Sequence, residues 1–122
     1  MYLVRVEAGF AAAHFLKDYH GKCERLHGHN YKVRAWAQGA SLGPGGMLLD
    51  FGELKSALRS VLDGLDHCLL NELPVFEGNP SAERIAEYVF KGLAKALPSA
   101  GLHAVEVFET ETSMARYEPD PP

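Results

Sequence analysis

The chain has 122 residues and a formal net charge of −4, with 47% hydrophobic and 23% charged residues. That length and balance describe one globular domain, 1–122, whose small size leaves apolar surface over and keeps self-association open. The acidic balance excludes a broad nucleic-acid face, which needs basic character, and no apolar run approaches the roughly 20 residues that span a bilayer.

The opening MYLVRVEAGF alternates apolar with polar or small residues. It reads as a strand over residues 2–15 rather than as a signal peptide, so the expected setting is cytoplasmic. Val4, Val6, Ala8, Phe10, Ala12 and His14 share one face of it. A second strand spans 27–38, with His27, His29, Tyr31, Val33, Ala35 and Ala37 on one face and Lys32, Arg34, Trp36 and Gln38 on the other. Glycines and a proline make 39–46 a loop. Asp50 with Glu53 has the spacing of a capping box, and the helix it starts carries a Leu54, Leu58, Val61, Leu62 stripe and ends at Gly64. After irregular ELPVFEGNP, Ser81 caps a second helix with Ala82, Ile85, Ala86, Val89, Leu93 and Ala96 or Leu97 on its apolar side, and Pro98 stops it. Strands over 103–109 and 113–117 complete a β-β-α-α-β-β order. Strands flanking helices in this way predict an α+β fold with an antiparallel sheet.

CERLHGHNY, residues 23–31, carries the densest chemistry. His27 and His29 stand two apart on a strand, so their imidazoles point the same way. His14 lies on the core-facing stripe of the preceding strand, and pairing of the two strands would present three imidazoles on one face. Three neutral histidines with an open position are a catalytic zinc arrangement, whereas structural zinc sites fill all four places. HGH alone also fits a surface hairpin with incidental histidines. Cys23 is compatible with a fourth zinc ligand or with a reactive thiol whose pKa Lys22 and Arg25 would lower. Cys68, among leucines, reads as a small hydrophobe. Asp66 and His67 are adjacent, a pair that can orient an imidazole for proton transfer or merely end a helix. Glu109 follows Val105 and Val107 on one strand face, where a buried acid needs a partner such as a guanidine-like ring edge, unless the strand ends at Phe108. His20 and His103 read as surface residues.

FAAAH at 10–14, CERLHGHNY at 23–31, GMLLDFGELK at 46–55, LDHCLLN at 65–71, NPSAERIA at 79–86 and ET at 109–110 stand in one order. In that order they resemble the 6-pyruvoyl-tetrahydropterin synthase family, which includes the 6-carboxy-tetrahydropterin synthases of queuosine biosynthesis. The resemblance implies the tunnelling fold, with two helices on one sheet face and subunits joined into a barrel, usually a hexamer of two stacked trimers. It implies zinc on His14, His27 and His29, Cys23 as the catalytic thiol, and Asp66 with His67 as its acid–histidine partners. Glu109 would anchor the pterin ring, with Glu83 and Ser81 close to the pocket, Ser81 standing where threonine is more usual. The implied substrate is 7,8-dihydroneopterin triphosphate. The three residues between Cys23 and His27 resemble the carboxy branch, which releases acetaldehyde and triphosphate; the pyruvoyl branch keeps all side-chain carbons. Lys22, Arg25 and Arg34 are the candidate triphosphate contacts. A non-enzymatic structural zinc module, closed by Cys23, is the alternative from another class.

Overall fold

The computed structural model describes residues 1–17, 21 and 24–121. Strands β1 (Tyr2–His14), β2 (His27–Gly39), β3 (Leu102–Thr110) and β4 (Ser113–Tyr117) form one antiparallel sheet in the order β1-β2-β3-β4. Helices α1 (Phe51–Asp63) and α2 (Ala82–Ala96) connect β2 to β3 and cover one face of it. This is the α+β arrangement that the strand and helix periods predict.

The period-two pattern fills the core from the sheet side. Val6, Phe10, Tyr31, Val33, Ala35, Val105 and Val107 all point toward the helices and are buried. From α1 come Leu54, Leu58 and Leu62, and from α2 come Ile85, Ala86, Val89, Phe90 and Leu93. Each such valine, leucine, isoleucine or phenylalanine stabilises the fold by about 1.5–3 kcal/mol through burial. Phe90 is absent from the predicted stripe. It is buried because its ring packs 5.3 Å from that of Tyr117 on β4, which widens the covered face of α2. Ala96, by contrast, is exposed, and Val61 is only half-buried. A Cβ at position 92 would lie 3.1 Å from both Val61 methyl groups, so Gly92 lets the two helices approach.

Both helix starts are capped by the expected residues. Ser81 Oγ accepts from the Arg84 N–H at 3.2 Å. Asp50 Oδ1 accepts from the Gly52 N–H at 2.7 Å, one position earlier than the capping-box spacing implies.

The 65–80 segment matters most for the site. It contains short 3-10 turns at Leu70–Glu72 and Pro74–Phe76 and lies along the outer edge of β1. Ala11 N–H donates to Asp66 Oδ1 at 2.9 Å, His67 N–H donates to Ala11 O at 2.6 Å, and Ala13 N–H donates to Cys68 O at 3.0 Å.

The face away from the helices is polar. Trp36 Nε1 donates to Glu106 Oε1 at 2.7 Å and Arg116 Nη1 donates to Oε2 at 3.0 Å, so the nearly buried Glu106 carboxylate is satisfied on both oxygens. His103, read as a surface residue from sequence, is three-quarters covered and lies 3.1 Å from a Glu118 oxygen; His20 falls outside the described residues. Among the described residues no helix is long and apolar enough to cross a membrane.

Candidate metal centre and active site

The β1–β2 register builds the histidine cluster. His14 pairs directly with His27, and His29 pairs with Ala12, whose methyl group leaves room for an imidazole diagonal to His14. The nitrogen atoms that His14, His27 and His29 offer all lie within 4.8 Å of one another. His14 Nδ1 meets the Pro80 carbonyl at 2.8 Å, and His27 Nδ1 meets the Arg25 carbonyl at 2.6 Å. A ring nitrogen that faces a carbonyl carries the proton, so each Nε2 is left as a lone pair. Those two Nε2 atoms face each other at 2.9 Å. His29 Nε2 is buried with no hydrogen-bond partner.

Converging lone pairs and an orphaned buried nitrogen are what a small cation removes. A tetrahedral zinc with Zn–N of about 2.0–2.1 Å separates its ligand atoms by about 3.3 Å, between the 2.9 Å of the His14–His27 pair and the 4.8 Å that bounds the cluster. Burial holds the His14 pKa below its ordinary value, outweighing the Pro80 carbonyl and the Glu109 charge, and so favours the neutral imidazole that ligation requires. The residues therefore fit a divalent metal of the zinc type. Their second contacts, the carbonyls of Pro80 and Arg25, fix tautomer and ring orientation.

Glu109 stands at the rim, with Oε1 3.8 Å from His14 Nε2. A register shift between Phe108 and Thr110 leaves it opposite no β4 residue, and such bulges re-aim side chains. Glu109 lines a cleft of about 440 Å³ together with Ala82, Glu83, Ser113, Met114 and Arg116. Two carboxylates in one cleft suit a ligand with a ring edge of N–H donors. Ser81 is engaged as the α2 cap, while its neighbours Ala82 and Glu83 face the cleft.

On the other side of the cluster, His67 and Cys68 line a second cleft with His29 and Asn30. His67 has a left-handed backbone with φ 57°, uncommon for a residue with a Cβ, and its side chain is 82% exposed. Its Nδ1 lies 2.9 Å from Asp66 Oδ2. Asp66 and His67 are thus a paired, outward-presented dyad, more exposed than their apolar sequence neighbours suggest. The Ala11 N–H, then His67, hold the Asp66 pKa below its ordinary value of 3.8. A depressed carboxylate contributes stability that is complete above the unfolded carboxylate range and is lost as pH falls through the folded value. Wild-type and Asp66→Asn proteins are therefore expected to differ in Tm near neutrality and to converge in acid. A gap that stays constant as pH falls through that range would contradict the stabilised Asp66 carboxylate.

Cys23 and Lys22 lie outside the described residues. Arg34 sits on the sheet face opposite the histidines and donates to Glu7 at 2.8 Å, so it is not a free triphosphate contact. Arg25 is exposed and contributes its carbonyl to His27. Tyr31 has no functional role in the sequence reading, although it follows His29 on the same face. It is 2% exposed, stacks on Phe10 at 4.6 Å, and its hydroxyl lies 3.2 Å from His14 Nδ1. Burial, then the Glu109 charge, raises its pKa and keeps the phenol neutral.

A single antiparallel sheet with two helices on one face, three imidazoles positioned for a metal ion and a carboxylate-lined cleft beside them define an α+β protein of the tunnelling-fold class. Comparison with known proteins gives the family. Residues 3–120 match the 6-pyruvoyl tetrahydropterin synthase family, and the chain belongs to it. It is 42% identical over 123 residues to a 6-carboxy-5,6,7,8-tetrahydropterin synthase of Synechocystis sp., covering 96% of this chain and 93% of that one. It is 34% identical to the human 6-pyruvoyl tetrahydrobiopterin synthase, over 80% of this chain and 70% of that one. The Caenorhabditis elegans 6-pyruvoyl tetrahydropterin synthase structure superposes with a TM-score of 0.84 at 29% identity, covering 98% of both chains.

Proposed function

We propose that the chain is a zinc-dependent lyase that converts 7,8-dihydroneopterin triphosphate, with water, to 6-carboxy-5,6,7,8-tetrahydropterin, acetaldehyde and triphosphate, a step toward 7-deazaguanine products such as queuosine. The observation that carries this reading is the cluster of His14, His27 and His29, with the orphaned His29 Nε2, next to the Glu109 cleft. The similarity to a protein named for this activity supports the branch.

In this reading the three histidines hold zinc, which when bound supplies Lewis-acid polarisation of the side-chain oxygens. Glu109 accepts from the N–H groups of the pterin ring and sets how far the side chain reaches toward the histidines. Glu83 lines the same cleft and Ser81 fixes the helix start that carries it. Cys23 takes and returns protons on the side chain. Asp66 orients the His67 imidazole, which receives and relays the proton that the thiol handles. The pyruvoyl reading differs only in leaving the side-chain carbons joined, and the human relative's name favours it. Incubation with dihydroneopterin triphosphate and an aldehyde trap separates the two. Acetaldehyde released in step with triphosphate is expected; triphosphate with no acetaldehyde, and a pterin retaining every side-chain carbon, would move the chain to the pyruvoyl branch.

The same reading takes 1–122 as one cytoplasmic domain that assembles. Beyond the stretch covered by 66–69, the outer edge of β1 has no strand partner among the described residues, and neither has that of β4. Open edges are a hazard unless paired. Pairing between subunits would close a barrel, as a hexamer of two stacked trimers. Light scattering should show this assembly, and a stable, active monomer would contradict it.

A further inference from the structure

The structure assigns a positioning role to Asn71, the last residue of LDHCLLN, which has no role in the sequence reading. Its side-chain amide makes three hydrogen bonds, all of them to backbone. Oδ1 accepts from the Phe15 N–H at 2.9 Å, and Nδ2 donates to the Phe15 carbonyl at 2.8 Å and to the Gly78 carbonyl at 3.0 Å. Both amide donors and one of the two oxygen lone pairs are thereby committed to the seam.

The three segments it joins are those that make the site. Phe15 follows His14 directly. Gly78 begins the short run into Asn79 and Pro80, and the Pro80 carbonyl is the partner of His14 Nδ1 at 2.8 Å. Asn71 itself ends the segment whose earlier residues, Asp66 and His67, grip the β1 edge at Ala11. A second bond closes the same seam: Lys17 N–H donates to Asn79 Oδ1 at 2.6 Å. The distance between the His14 imidazole and the Pro80 carbonyl is therefore set by an amide that touches neither. If the seam opens, His14 loses the carbonyl that best keeps its proton on Nδ1 and its lone pair on Nε2, and Nδ1 is left with the Tyr31 hydroxyl at 3.2 Å. Partners of this kind carry much of a metal site's affinity.

The sharpest variant is Asn71→Asp. It keeps the shape but sets carboxylate oxygen against two carbonyls, where N–H donors stood. This inference extends the metal-site reading above, and the first readout is independent of it. In metal-free protein, long-range 1H–15N spectra of the imidazoles should show His14 as the Nδ1–H tautomer in the wild type and as a mixture of tautomers in Asn71→Asp. In the second readout, competition with a chelator should show zinc held about 10–100-fold more weakly by the variant. Leu54→Ala, a core truncation toward the far end of α1, is the comparison: it should lower Tm while leaving both readouts in place. Should Asn71→Asp fail to fold, Asn79→Ala loosens the same seam by one bond and should move both readouts in the same direction. Folded variants with the wild-type tautomer, or a Leu54→Ala protein that shifts His14 as far, would overturn the role. Wild-type protein that binds no zinc would defeat the metal-site reading and leave the tautomer test of Asn71 standing.

Discussion

Replacing both His27 and His29 with alanine is expected to strip the protein of a zinc content of about one per chain. The two imidazoles supply two of the three converging nitrogens, and His14 alone cannot hold the ion at a site of tetrahedral type. Either single replacement should remove most of the metal, His29→Ala by deleting the buried Nε2 and His27→Ala by deleting the nitrogen 2.9 Å from His14 Nε2. The fold should survive, since both side chains lie at the end of β2 beyond the hydrophobic core, which begins at Tyr31. Metal analysis after dialysis checks this, and full zinc occupancy in the double variant would remove these residues as ligands.

Cys23→Ala separates the catalytic reading from the structural one. A thiol that moves protons contributes about 10²–10⁴-fold to rate, so turnover should fall by that order while zinc content and Tm stay near wild type. If Cys23 instead closes a four-ligand structural site, the same change should weaken metal binding and stability together. Among the described residues the three ring nitrogens converge from β1 and β2, and Cys23 lies outside those residues, so the paired readout of zinc content and turnover decides between the two. A Cys23→Ala protein with near-normal turnover would take the thiol out of the mechanism. Glu109→Ala should act differently, raising KM more than it lowers kcat, because on the proposed function its carboxylate binds the ring rather than the reacting carbons.

What can be read from the residues alone follows their physics. The period-two pattern puts His27 and His29 on one face of β2 and His14 on the core-facing stripe of β1, because alternation on a strand is a local property, while the pairing that joins them is set by the β1–β2 register. The stripes of α1 and α2 are legible for the same reason. Phe90 is not, since its burial depends on where the β4 edge and Tyr117 lie. Nor are the Pro80 and Arg25 carbonyls, because a backbone acceptor has no sequence signature and is placed by tertiary packing. The Asp50 cap is visible, but its bond to Gly52 instead of Glu53 is not, since a capping side chain can accept from either N–H. The exposure of His67 cannot be read from its apolar neighbours, Leu65 and Leu69, because the left-handed turn at that residue points its side chain away from them. Arg34 looks available for triphosphate until the register places Glu7 beside it.

If the three-histidine cluster is the metal centre of a reaction on dihydroneopterin triphosphate, turnover must follow its occupancy. The most direct test is to deplete the protein of metal, add zinc back in steps, and follow triphosphate release against bound zinc. Turnover should be absent without metal and rise in proportion to occupancy, reaching its plateau at about one zinc per chain. Undiminished release from the metal-free protein, or full occupancy of the histidine site with no release at any zinc concentration, would contradict it.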